Sequence, residues 1–138
     1  MQTQNTEVVP VKNELDFAQS YLYLIEQRFG RAFIFDWKIS EARLDGQMIV
    51  PSALQGLLEN AVKHNAGNQK NPLRIRVRLE RDHLSVENDL RIKSRGQRTS
   101  GTGLKNLSAR YAFLTGKPIE ISRDEKIFKV TLPLLKLS

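Results

Sequence analysis

Residues 51–89 read PSALQGLLENAVKHNAGNQKNPLRIRVRLERDHLSVEND, and within this stretch the hydrophobic period changes from about 3.6 to about 2. In the first part Ala53, Leu54, Leu57, Leu58, Ala61 and Val62 fall at i, i+1, i+4, i+5, i+8 and i+9, the apolar stripe of a helix packed on one side. Pro51 and Ser52 suit the opening of that helix, and Asn65 to Gly67 its end. In the second part Leu73, Ile75, Val77 and Leu79 alternate with Arg74, Arg76 and Arg78, which predicts a strand with one buried face. Arg81 and Asp82 then make a turn, and Leu84 to Asn88 returns as the second arm of a hairpin.

Working outward, Asn13 is placed to cap a helix over 13–30 that carries Leu15, Phe17, Tyr21, Leu22, Leu24, Ile25 and Phe29 and stops at Gly30. Residues 32–39, AFIFDWKI, have the aromatic and β-branched content of a strand, and 40–47 are polar turn material. Residues 89–103 are rich in Lys, Arg, Ser, Thr and Gly with little apolar patterning, so they predict a long loop of the functional kind. A third helix follows with Leu104, Leu107, Ala109, Tyr111 and Leu114, ended by Thr115 and Gly116, and Ile119–Ile121 with Phe128–Leu132 form a closing hairpin across Arg123 and Asp124. Residues 1–12 are polar and read as a tail or linker remnant. This order implies one α/β domain of the α+β kind over 13–138, a two-layer sandwich of a mixed, largely antiparallel sheet with helices on one face.

The chain has 138 residues, enough for one domain, and no cysteine, which excludes disulfides, cysteine-ligated metals and thiol nucleophiles. No stretch reaches the ~18 apolar residues of a membrane span, and the N-terminus lacks the pattern of an export signal. Residues 1–69 carry 6 Lys/Arg against 8 Asp/Glu, whereas residues 70–138 carry 16 against 7. Such a basic half suits an anionic partner or a solvated face. Nucleic acid is not expected, because the basic residues are not interleaved with stacking aromatics and no nucleic-acid-binding motif accompanies them.

Three features could carry chemistry. Opposite its apolar stripe, the helix over 53–64 presents Gly56, Glu59, Asn60, Lys63 and His64. These residues could simply face solvent. Alternatively, Asn60 offers a neutral oxygen to Mg²⁺, Lys63 faces phosphate, and Glu59 accepts a proton or orients water. Ser100, Gly101, Thr102, Gly103 and Leu104 run from a loop directly into a helix. There converging backbone N–H groups and the helix dipole favour an anion, although a flexible helix start reads the same way. Finally, Asn88 ends a strand beside Glu87 and Asp89, where it is either a turn residue or a carboxamide able to read the edge of a purine. His64 and His83 lie too far apart in the chain to suggest a shared metal site.

Taken in order, LLENAVKHN at 57–65, LSVEND at 84–89 and SGTGLKNLSARY at 100–111 resemble the N, G1 and G2 boxes of the GHKL (Bergerat) ATP-binding fold, in the form found in LytS-type sensor histidine kinases. ELDFAQSYLYLIEQRFG at 14–30, IVPSALQ at 49–55, RYAFLTGKPIEI at 110–121 and VTLPLL at 130–135 extend the resemblance over most of the chain. It implies that ATP and Mg²⁺ bind between the helices under a lid formed by 89–103. Asn60 would hold the metal, Lys63, His64, Asn88, Ser100, Gly101, Thr102, Gly103 and Leu104 would contact nucleotide, and Glu59 would be the catalytic candidate. It further implies a histidine kinase domain in the cytoplasm, part of a longer, membrane-anchored homodimer. That protein would phosphorylate a histidine on dimerisation helices outside this chain and signal to a response regulator. The alternative on the same fold is a nucleotide-binding or protein-interaction module without turnover. Two departures stand out. Asn88-Asp89-Leu90-Arg91-Ile92 replaces the common D-x-G-x-G, and Gly56 occupies the position four residues before Asn60 where many members place an acid or amide.

Overall fold

The computed structural model describes residues 8–40, 44–91 and 102–136. In chain order the elements are β1 (Val9–Pro10), α1 (Val11–Phe29), a 3₁₀ turn (Gly30–Ala32), β2 (Phe33–Lys38), β3 (Gln47–Ile49), α2 (Ala53–His64), β4 (Leu73–Glu80), β5 (His83–Asp89), α3 (Thr102–Thr115), β6 (Glu120–Arg123), β7 (Ile127–Pro133) and β8 (Leu135–Lys136). The main sheet has the order β2-β4-β5-β7-β6, with β2 parallel to β4 and every other pair antiparallel. A second, small sheet joins β1, β3 and β8.

The period-2 pattern of β4 sorts its side chains as expected: Leu73, Ile75, Val77 and Leu79 are buried. Their partners on β5 and β7 continue that face, with Val77 opposite Val86 and Val86 opposite Val130, and Leu79 opposite Leu84 and Leu84 opposite Leu132. The apolar stripe of α2 packs into the same core; Ala53, Leu54, Leu57, Leu58, Ala61 and Val62 are all buried. Each fully buried leucine contributes about 1.5–3 kcal/mol relative to an exposed one. At the end of α2 the chain turns close under the sheet, where a Cβ on Gly67 would stand 2.5 Å from the Ala32 carbonyl oxygen. On the opposite face Arg76 bridges Glu87 at 3.0 Å and Asp89 at 3.1 Å, so part of the arginine stripe is neutralised within the sheet.

Several expectations are corrected. The first helix begins at Val11, not after an Asn13 cap, because Pro10 precedes it in an extended conformation and pairs in the small sheet. Residues 9–12 are therefore part of the fold and not tail. Phe17 and Leu24 share a periodic spacing with the core residues of α1 but are exposed, since no described element covers that face, and Phe29 is exposed as well. Ala109 and Ile121 are also exposed. Pro51 and Ser52 do not open α2 by capping it. Ser52 adopts a left-handed conformation (φ 65°) and makes no side-chain cap. The cap comes instead from α1, where the buried Glu14 carboxylate accepts the Ser52 N–H at 2.9 Å and the Leu54 N–H at 3.2 Å. The expected loop over 89–103 is shorter at both ends. Asp89 belongs to β5, the Leu90 N–H donates to the Lys126 carbonyl at 2.8 Å, and Thr102 and Gly103 lie in α3; residues 92–101 fall outside the described residues.

Candidate functional site

The faces of α2 and α3 left free by the core converge on a cleft of about 380 Å³. Its walls include Ser52, Gly56, Glu59, Asn60 and Lys63 from α2 and the turn before it, and Gly103, Leu104, Asn106, Leu107 and Arg110 from α3. Six residues singled out in the sequence therefore share one cavity: Gly56, Glu59, Asn60, Lys63, Gly103 and Leu104. The reason is the helical period, which turns 56, 59, 60 and 63 to one side because 53, 54, 57, 58, 61 and 62 are held in the core. A Cβ on Gly56 or on Gly103 would meet no other atom within 4 Å, so both glycines leave the cleft open along its two walls.

The other expected residues lie elsewhere. His64, half-buried at the end of α2, does not line the cleft. Asn88 is buried on the helix-facing side of β5, opposite Ile75, and its Nδ2 donates to the Asp89 carbonyl at 2.7 Å. It is not among the residues that line the cleft. Ser100 and Gly101 lie outside the described residues, and Thr102 opens α3. His83 is paired with Asp82 at 2.8 Å on the hairpin turn and does not line the cleft.

Three residues that the sequence reading did not single out organise the site. Asn65 caps α2 from within: its Nδ2 donates to the Ala61 carbonyl at 3.0 Å, while its Oδ1 accepts the Arg91 N–H at 2.9 Å. With the Ala66 N–H on the Arg91 carbonyl at 2.7 Å, this ties the end of α2 to the chain leaving β5. Gln55, one turn before Glu59, donates to its carboxylate at 3.0 Å, while its own Oε1 is buried without a hydrogen-bond partner among the described residues. Arg110 reaches across from α3 to donate to the Pro51 carbonyl at 2.6 Å. Asn65 was visible only as a helix stop, and Gln55 and Arg110 only as polar positions in helices.

Two phenols report on the surroundings. Burial first, and the Glu59 charge second, raise the Tyr21 pKa above its ordinary value, which places α1 within electrostatic reach of the cleft. Tyr111 is fully buried next to Arg110 and donates to the Pro133 carbonyl; burial and then the Glu14 charge push its phenol well up, against a backbone hydrogen bond at Val50. It anchors α3 against the core.

Chemically, the cleft combines a neutral amide oxygen, two cations, a carboxylate and the N-terminal turn of a helix. That set fits a Mg²⁺-bound polyphosphate: hard oxygen for the metal, Lys and Arg for phosphate charge. No group of three or more metal-ligating side chains occurs among the described residues. Mg²⁺ characteristically takes only one or two protein ligands and completes its shell with phosphate and water.

No family model matches the chain. In sequence it is 28% identical over 124 residues to the sensor protein LytS of Enterococcus faecalis, covering 78% of this chain and 21% of that protein. It is 26% identical over 140 residues to the sensor protein LytS of Bacillus subtilis, covering 90% and 23%. The chain thus spans about a fifth of the length of these curated relatives. Among solved structures it is similar to the cytoplasmic segment of histidine kinase QseC, with a TM-score of 0.64 at 16% identity over 97% of this chain and 80% of that one. It is also similar to the nucleotide-free catalytic domain of histidine kinase ThkA, with a TM-score of 0.59 at 13% identity over 94% and 97%. The chain is thus similar in sequence to LytS sensor proteins and has the fold of histidine kinase catalytic domains.

Proposed function

We propose that this chain is the ATP-binding catalytic domain of a two-component sensor histidine kinase, transferring the γ-phosphoryl group of Mg-ATP to a histidine outside residues 1–138. The observation that carries this reading is the cleft in which Asn60 and Lys63 of α2 face Gly103 and the first turn of α3. In the reaction a bond forms between an imidazole nitrogen and the γ-phosphorus, the bond to the β,γ-bridging oxygen breaks, and its electron pair leaves with ADP. The ring proton passes to a base, for which Glu59, aimed by Gln55, is the candidate. When bound, Mg²⁺ supplies charge neutralisation on the phosphates, with Asn60 as its protein ligand. Lys63 balances phosphate charge, the glycines leave room for the phosphates, and the α3 N-terminus stabilises anionic oxygen. The acceptor helices, a second copy and a response regulator are the partners this activity requires. Membrane anchorage is proposed for the longer protein; no described helix is long and apolar enough to cross a membrane.

The test is titration of ATP with and without Mg²⁺ on the wild type and on Asn60→Ala. The expected result is loss of the Mg²⁺-dependent gain in affinity in the variant, and identical affinities under all four conditions refute the assignment. The hydrogen-bonded Leu90–Arg91 backbone, where other GHKL members carry glycines, favours a second reading, a nucleotide-binding module without turnover. Phosphotransfer to a histidine-bearing helical segment supplied separately decides between the two.

A further inference from the structure

The cleft has a direction. Asn65, at the C-terminal end of α2, is tied to Arg91, three residues beyond Asn88, so the purine-reading candidate lies toward that end of the helix. A nucleotide with its base there extends its phosphates past Asn60 toward the N-terminal half of α2, where the walls are Gly56, Ser52 and Glu59. Lys63 stands on the base side of Asn60. The cation at the other end comes from α3: Arg110, whose guanidinium rests on the Pro51 carbonyl just ahead of α2.

Arg110 is poorly explained as a structural tie alone. It is exposed, no carboxylate among the described residues pairs with it, and the Pro51 carbonyl engages one nitrogen of a group that carries five donors. Its neighbour Tyr111, buried and bonded to the Pro133 carbonyl, already anchors this turn of α3. A planar guanidinium lining the cleft and held there by a single neutral acceptor is ready to exchange that acceptor for an anion, and hydrogen bonds to an ionised partner are roughly twice as strong.

We propose that Arg110 is the terminal-phosphate contact of this site, turning from the Pro51 carbonyl to the γ-phosphate and so making the cleft prefer nucleoside triphosphate to diphosphate. This rests on the nucleotide reading above. Arg110 is one of the residues that separates substrate from product at the cleft, since after transfer the group it holds has gone.

The experiment titrates the full 138-residue chain with Mg-ATP and with Mg-ADP, in the wild type, Arg110→Ala, Arg110→Lys and the charge control Lys117→Ala, and records melting curves without nucleotide. Arg110→Ala is expected to weaken Mg-ATP by roughly tenfold or more while changing Mg-ADP by less than about threefold, the loss of one charge-assisted contact. Arg110→Lys should fall between, because it keeps the charge but not the fork, and Lys117→Ala should match the wild type. If Arg110→Ala unfolds, Arg110→Lys carries the same comparison. An ATP-to-ADP affinity ratio unchanged by substitution at Arg110 overturns the proposal, whether both affinities fall together, as for a structural tie, or neither falls. A wild-type chain that binds neither nucleotide is a different failure, seen before any variant is compared, and removes the nucleotide reading together with this one.

Discussion

Replacing Glu14 by alanine tests how α2 is held, and therefore how the cleft is built. Glu14 lies in α1, some 40 residues before the helix start it caps, and is buried with both carboxylate oxygens on backbone N–H groups, Ser52 at 2.9 Å and Leu54 at 3.2 Å. Hydrogen bonds to a charged group contribute about 1.5–3 kcal/mol each, and loss of a helix N-cap by itself costs about 0.5–2 kcal/mol. The two bonds share one carboxylate and are not additive, so the expected loss for Glu14→Ala is about 3 kcal/mol. Glu14→Gln keeps one acceptor but points an amide N–H₂ at a donor, and should lose about 1–2 kcal/mol. At about 3 °C per kcal/mol for a domain of this size, Glu14→Ala should melt about 10 °C below the wild type. Urea denaturation followed by the fluorescence of the half-buried Trp37 should show the midpoint falling with the slope unchanged. Glu26→Ala, exposed on the same helix, serves as the control. If Glu14→Ala stays within about 0.5 kcal/mol of the wild type, the value expected for a surface substitution, the cross-helix cap does not stabilise α2 as argued.

Further outcomes follow from other contacts. Asn65→Ala should cost about 1–3 kcal/mol by leaving the Arg91 N–H without its acceptor, and should also weaken Mg-ATP binding; unchanged stability and affinity in denaturation and titration would remove Asn65 as the link between α2 and β5. Asn88→Ala should weaken ATP more than GTP in competition titrations, since guanine presents an acceptor where adenine presents its amino group; equal affinities in variant and wild type would make Asn88 a structural residue only. Tyr111 has its folded pKa raised by burial above the unfolded value of about 10, so its contribution is complete below pH ~10 and falls as pH rises from there toward the folded value, by at most ~1.4 kcal/mol per pH unit. Urea midpoints of wild type and Tyr111→Phe between about pH 8 and about pH 11 should therefore converge as pH rises; a constant difference would contradict the burial argument.

What the sequence made legible was whatever a local period encodes. The alternation of Leu73 to Leu79 and the stripe of Ala53 to Val62 placed a hairpin and a helix, and the helical period alone brought Glu59, Asn60 and Lys63 to one wall of the cleft. Strands of two or three residues, such as β1, β3 and β8, are too short to show a period, and they appear only because distant segments pair. The exposed Phe17 and Leu24 show the converse limit, since a period counts apolar residues but says nothing of whether a neighbour covers them. The cap from Glu14, the Asn65 link and the Arg110 contact join residues 26 to 59 positions apart or lie across elements, so no window along the chain contains both partners. Just beyond the end of β5, Leu90 donates to the Lys126 carbonyl and Arg91 to the Asn65 side chain, so these residues are tied by hydrogen bonds to the hairpin and to the end of α2. Asn88 meanwhile donates its Nδ2 to the Asp89 carbonyl, so only its amide oxygen would be left to accept from a base. A base amino group arriving there would meet a neutral carbonyl oxygen in place of a carboxylate. If the proposed nucleotide site reads adenine through Asn88, that selectivity should rest on one neutral hydrogen bond, and Asn88→Asp should strengthen it by on the order of 1 kcal/mol wherever the site keeps that carboxylate charged.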